Sequence, residues 1–165
     1  MEIAGNLERG AAPVSPGTIK AKVVLEKVAR TRQMLDDLRR LPIADLQSFV
    51  GDPRNPAAAE SFLRRALEAL LDLGRHILAK GFGLGVVEYK KIAAELSAHE
   101  IIAPELGETF VEMAGYRNRL THFYNEVAPD ELLQICTTRL TDIEVILDAI
   151  LAWLRANPDR LDRTV

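Results

Sequence analysis

The sequence predicts an all-α protein, an antiparallel up-and-down bundle of four to five main helices. Three observations predict it. Apolar residues recur at three- and four-residue steps over long stretches. Glycine and proline are sparse between positions 18 and 50 and again between 86 and 156, where Ala, Leu, Glu, Arg and Lys dominate. No stretch alternates apolar and polar residues as a half-buried strand does, and no internal repeat is visible. The chain has 165 residues, 48% apolar and 27% charged, which suits one globular domain around a single core.

Taken in order, residues 1–17 carry three glycines and two prolines with little periodicity and read as a flexible leader. A first helix starts after Ser15-Pro16-Gly17, near Thr18. Its apolar residues Val24, Leu25, Val28, Leu35 and Leu38 fall at helical spacing, and Pro42 ends or bends it. A short helical turn, DLQSFV, precedes the breaker GDPRNP. The segment AAAESFLRRALEALLDLGRHILAKGFG is strongly helical, with Phe62, Ala66, Ala69, Leu70, Leu73 and Ile77 on one stripe. Gly81-Phe82-Gly83-Leu84-Gly85 stops it. Those glycines resemble a phosphate-cradling loop, but they follow a helix rather than a strand, and no Lys-Ser or Lys-Thr pair comes after them.

A shorter helix, VVEYKKIAAELSAHE, comes next. Pro104 opens another, ELGETFVEMAGYRNRLTHFYN. Pro129 marks the boundary of a last helix, read as one rod, DELLQICTTRLTDIEVILDAILAWLRAN, ending at Asn157-Pro158. The organisation expected is a leader at 1–17, a helical domain at 18–157 and a C-terminal tail at 158–165.

The formal net charge of −3 argues against a global duplex-binding surface, so any nucleic-acid contact has to come from a local basic patch. The single cysteine, Cys136, argues against a disulfide framework, suits a reducing cytosol, and reads as a small buried residue. No secretory signal pattern is visible, and no apolar run approaches the roughly 20 residues that cross a bilayer. A soluble, cytoplasmic protein is expected.

Residues 116–127, YRNRLTHFYNEV, hold the densest chemistry. On a helix, Leu106, Phe110, Met113, Leu120 and Tyr124 mostly share a stripe, and Arg117 stands on it where an apolar residue belongs. Burying an unpaired guanidinium costs several kcal/mol, so Arg117 is expected at the mouth of a cleft or at a subunit boundary. His122, five residues on, lies about 140° around the helix from Arg117. Asn118 shares a face with His122, and Arg119 is near it. Two guanidinium groups, an imidazole, an amide and a phenol suit a phosphodiester: guanidinium forks pair with phosphate oxygens, and imidazole moves a proton near neutral pH. The same arginines also suit a helix C-terminus through its dipole. On chemistry alone both readings stay open.

The run Arg117-Asn118-Arg119-Leu120-Thr121-His122-Phe123-Tyr124 fits the pattern R-x-x-x-x-H-x-Y, and with it the chain resembles the HepT-like toxins of the HEPN superfamily. The polar residue after the arginine, the ALLDLGRHILAKGFG segment and the shorter helix before the motif helix extend the likeness over roughly residues 18–155. The resemblance implies a homodimeric, metal-independent endoribonuclease with no cofactor. Motif helices from two subunits would meet in one composite cleft. His122 would be the general acid or base for attack by an RNA 2′-hydroxyl, and Arg117 would stabilise the charged transition state. Asn118 would orient the imidazole or the phosphate, and Arg119 would steer RNA. Tyr124 would be the position AMPylated by a nucleotidyltransferase antitoxin, placing bulk and charge where RNA binds. The alternatives are a non-catalytic helical subunit that presents nucleotide or substrate to a minimal nucleotidyltransferase, and a bundle with a degenerate site.

Other polar residues carry less. Asp72 and His76, four apart, read as an exposed polar pair, or in a functional reading as a partner for Arg117. His99 is expected to be solvated. Trp153 and Tyr116 read as packing residues. His76, His99 and His122 lack metal-ligand spacing, and Ser61 and Cys136 have no adjacent base.

Overall fold

The computed structural model describes residues 11–13, 18–122 and 127–164. Among them are seven α-helices. Four are long: α1 (Ala21–Arg39), α3 (Arg54–Phe82), α5 (Pro104–Thr121) and α7 (Leu140–Ala156). Three are shorter: α2 (Leu46–Val50), α4 (Tyr89–Ala98) and α6 (Pro129–Thr138). The architecture is an all-α bundle, as the apolar periodicity predicts. No helix among the described residues is long and apolar enough to cross a membrane.

Helix α3 is the axis. Ala66, Leu67, Leu70, Leu71, Leu73, Ile77 and Leu78 are buried along it, while Phe62 is only half-buried at the edge of the stripe. It touches α1, α4, α5, α6 and α7. A rod contacted on so many sides is apolar over most of its circumference, and each fully buried leucine contributes about 1.5–3 kcal/mol. Gly83 ends α3 in the left-handed region, φ 69°, and its N–H returns to the Ala79 carbonyl at 3.1 Å. The glycine-rich stretch is thus a helix stop, because only glycine enters that conformation without steric cost.

The long last rod read from the sequence is two helices. The break falls at Arg139, with φ −114° and ψ −5°. No glycine or proline marks it. The Thr137 hydroxyl instead donates to the Leu133 carbonyl at 2.9 Å, and the Thr138 hydroxyl to the Gln134 carbonyl at 2.7 Å. Such back-bonding competes with the helical ladder. The Arg139 guanidinium is then tied to Glu112 on α5 and to Asp142 on α7, which fixes the corner.

Short strands tie down segments on either side of the bundle. Strand β1 (Ala11–Pro13) pairs antiparallel with β3 (Leu84–Val86), and β2 (Ile19–Lys20) pairs parallel with β4 (Leu161–Asp162). Two- and three-residue strands are too short to show alternation, so the sequence gives no warning of them. Residues 11–13 lie within the segment read as a leader, and Leu161 and Asp162 within the segment read as a tail.

His76 on α3 helps to hold β2: its Nε2 accepts the Lys20 N–H at 2.9 Å. The ring must be neutral to accept. Burial, with Lys80 and Lys20 close by, lowers its pKa from the ordinary 6.5. The unfolded chain therefore takes up this proton first on acidification. The stabilisation is complete above about pH 6.5 and is lost as the pH falls from there through the lowered folded value. Thermal melts at about pH 7.5 and 5.5 are expected to show wild type losing more stability than His76→Gln, whose amide oxygen accepts the same bond without titrating. Equal losses in the two proteins would contradict this.

Candidate functional site

Helix α5 carries the site and ends in it. Pro104 stands at its first turn, where a missing N–H costs nothing. Phe110, Met113 and Ala114 are buried and anchor the middle of the helix. Gly107 lets α5 approach α4: a Cβ there would lie 2.5 Å from Ser97 Cβ. The last turn is loosened by Thr121, whose hydroxyl donates to the Asn118 carbonyl at 2.9 Å. His122 follows as the C-cap with extended backbone, φ −110° and ψ 117°, and its side chain is exposed.

Arg117 sits at the mouth of a cleft, as its place on the apolar stripe requires. The cleft holds about 410 Å³ and is lined by Arg75, Val87, Glu88, Tyr89, Lys90, Arg117 and Asn118. The Arg117 guanidinium lies 4.4 Å from the centre of the Tyr89 ring, and its Nε donates to Glu68 Oε1 at 3.2 Å. Glu68 also accepts from Arg64. The Tyr89 hydroxyl donates to Asp72 at 3.1 Å, and Arg75 stands 5.1 Å from the same ring. Burial, then the Asp72 carboxylate, raises the Tyr89 pKa. The phenol therefore stays protonated and keeps its bond to Asp72. This is a pre-set guanidinium: stacked on an aromatic face, held by one carboxylate, with Nη1 3.5 Å from Asn118 Oδ1, the donor being the arginine.

His122 belongs to a second cleft, of about 480 Å³, with Lys90, Val111, Glu112, Gly115, Tyr116, Asn118 and Arg119. Asn118 shares this wall with His122, as their four-residue spacing requires. Arg117 lines the first cleft and not this one. The helix read as continuing through His122 stops at Thr121, so His122 leaves the helical path and the ideal 140° no longer describes the pair. Asn118 and Lys90 line both. Arg119 is clamped by Glu131 of α6, with N–O distances of 2.6 and 2.9 Å. That mutual hydrogen bonding raises the arginine pKa and lowers the glutamate pKa. A role for Arg119 in steering RNA thus requires the pair to open; both ends are more than a third exposed, where such pairs contribute about 0–1 kcal/mol. Tyr124 lies outside the described residues.

The other polar residues fall elsewhere. Asp72 pairs with Arg75 at 3.2 Å and Lys27 at 3.8 Å, not with Arg117, and it does not pair with His76. Glu68, one turn earlier on α3, takes the place beside Arg117. His99 is half-buried, edge-on to Phe82, with Nδ1 2.9 Å from the Glu95 carbonyl oxygen. Trp153 packs beside Phe82, and Tyr116 packs on the core. Cys136 is buried and its pKa is pushed up to about 12, so it is an inert thiol. Among the described residues no three His, Cys, Asp or Glu side chains are grouped to hold a metal. Sequence reasoning passed over Glu68, Tyr89 and Lys90. The run EYKK, an aromatic beside two lysines at a helix start, was the one signal for two of them.

Comparison with known proteins gives this geometry a context. The chain is 23% identical to the tRNA nuclease HepT of Aphanizomenon flos-aquae over 137 residues, 82% of this chain and 92% of that protein. It is 24% identical to the mRNA nuclease HepT of Shewanella oneidensis over 131 residues, 79% of this chain and 97% of that one. Its fold is similar to that of the tri-AMPylated Shewanella oneidensis HEPN toxin solved with its MNT antitoxin. The TM-score is 0.71 at 24% identity, over 79% of this chain and 97% of the other. It is also similar to YutE of Bacillus subtilis, with a TM-score of 0.70 at 16% identity, over 85% of this chain and 94% of that protein. Residues 31–150, from the middle of α1 to Ile150 within α7, match the Ribonuclease HepT-like family, and the chain belongs to that family.

Proposed function

We propose that this chain is a toxin-type endoribonuclease that cleaves single-stranded RNA without a metal, as a homodimer, with a minimal nucleotidyltransferase as its antitoxin. The observation that carries the reading is the end of α5, where Arg117, stacked and lining a cleft, and His122, exposed at the helix terminus, stand in a chain of the HepT-like ribonuclease family. His122 takes the proton of a ribose 2′-hydroxyl as that oxygen attacks the adjacent phosphorus. The 5′-oxygen leaves and is protonated, giving a 2′,3′-cyclic phosphate. Arg117 holds the equatorial oxygens as negative charge builds on them. Asn118, between the two, orients the phosphate or the imidazole.

The second subunit answers a geometric need. Within one chain Arg117 and His122 line different clefts. Two copies of α5 meeting at their ends would set the arginine of one beside the histidine of the other. The antitoxin reading is supported by relatives solved as toxin–antitoxin complexes, one of them tri-AMPylated. Tyr124, two residues past His122, is the acceptor for AMP in this reading.

The test is cutting of RNA in EDTA. Wild type is expected to cut and to leave cyclic phosphate ends. Arg117→Ala and His122→Ala, each inactive alone, are expected to regain part of the activity when mixed and allowed to exchange subunits. A requirement for divalent metal overturns the metal-independent mechanism, and intact RNA with protein shown by mass spectrometry to carry no AMP overturns the nuclease reading and favours a binding subunit. No regain on mixing overturns the composite cleft.

A further inference from the structure

The two clefts beside α5 are bordered by four Lys or Arg side chains: Arg75, Lys90, Arg117 and Arg119. Three are already held by carboxylates. Arg75 pairs with Asp72, Arg117 with Glu68 and Arg119 with Glu131. Among the described residues, Lys90 alone of the four has no carboxylate within ion-pair distance. An arriving phosphate must compete with a resident acid at the three arginines and with water only at Lys90.

The position of Lys90 is as telling as its lack of a partner. It stands in the first turn of α4 with its side chain exposed, and it lines both clefts. Its stem lies against α5 where that helix has no side chain: a Cβ at Gly115 would be 3.5 Å from Lys90 Cε and 3.9 Å from Nζ. The ammonium therefore rests at the crossing between the cleft of Arg117 and the cleft of His122, beside Asn118. An extended RNA strand that runs along one chain from one cleft to the other passes this point.

We propose that Lys90 is a substrate-binding residue, whose ammonium holds the backbone phosphate of single-stranded RNA where the strand crosses from the Arg117 cleft to the His122 cleft. This rests on the ribonuclease reading above. A point charge on a flexible stem suits the task, because it accepts any phosphate orientation and reads no base. Lys90 acts on binding, and the proton transfers stay with His122.

Steady-state cleavage of unfractionated cellular RNA by the full chain, in EDTA and over a range of salt concentrations, tests the proposal. Lys90→Gln is expected to raise the apparent KM about tenfold at low salt with kcat nearly unchanged, the signature of lost uniform binding. It should also lower the slope of log kcat/KM against log salt by about 0.7, the value for one phosphate contact on a single strand. Lys90→Arg should restore most of both. Lys22→Gln, an exposed residue on α1 that lines neither cleft, removes the same charge and should change neither. An unchanged KM and slope in Lys90→Gln overturns the proposal, and so does an equal fall in Lys22→Gln, which would mean a diffuse field. Failure of wild type to cut RNA at all would instead bring down the reading on which it rests.

Discussion

His122→Ala lowers kcat/KM for RNA cleavage about 10²–10⁴-fold, the range by which a positioned acid or base speeds a reaction. The fold should survive the change. His122 is exposed at the end of α5, beyond the buried anchors Phe110 and Met113, and surface truncations of this kind shift stability by about 0.5 kcal/mol or less. The loss should therefore appear in activity with the melting temperature nearly unmoved. His99→Ala is the informative contrast. Its ring is half-buried against Phe82, so truncation should cost stability and leave the RNA chemistry intact. A His122→Ala protein within about threefold of wild type would mean that another group moves the proton, well outside the range expected for general acid–base catalysis.

The second large effect is on stability. Gly107→Val is expected to destabilise the fold by about 3 kcal/mol, at the upper end of what overpacking costs. In a chain of this size that lowers the melting temperature by roughly 10 °C. The reason lies in the seam between α4 and α5. The new Cβ would fall 2.5 Å from Ser97 Cβ and 2.8 Å from its Oγ, and a Cβ cannot swing away as a long side-chain tip can. Valine gains some helix propensity over glycine, but only a few tenths of a kcal/mol. The helices must then separate, and Lys90 on α4 moves relative to Asn118 and His122 on α5. Displacements near 1 Å in a reacting site cost on the order of 10²-fold. Residual folded protein should thus also be poorly active. An unchanged melting temperature would show that the seam has slack that the distances do not indicate.

The sequence was most legible where one local rule governs. The α3 stripe, the Gly83 stop and the Pro104 start each follow from a single rule of periodicity, backbone conformation or ring geometry, and each appears in the fold. Arg117 was legible for the same reason. A charge on an apolar stripe has to find an opening, and it found one. The break at Arg139 was not legible. It comes from two threonine hydroxyls bonding backward and from Glu112, a residue of another helix, and only the first leaves any trace in the local pattern. The strand pairs were illegible because partners 73 and 142 residues apart, such as Ala12 with Gly85 and Lys20 with Asp162, contribute too few residues each to form a pattern.

The sequence by itself determined the class of fold, the position of the motif at the end of a helix, and the place of Arg117 on the apolar stripe of that helix. These are consequences of a 3.6-residue period and of which side chains avoid water. Only the tertiary structure decided that Glu68 and not Asp72 holds Arg117, that Tyr89 is the surface on which it stacks, and that Lys90 stands at the crossing without a carboxylate. Pairing across helices depends on how α3, α4 and α5 are rotated and spaced against one another. That choice is made by the packing of the whole core, and no short stretch of chain encodes it.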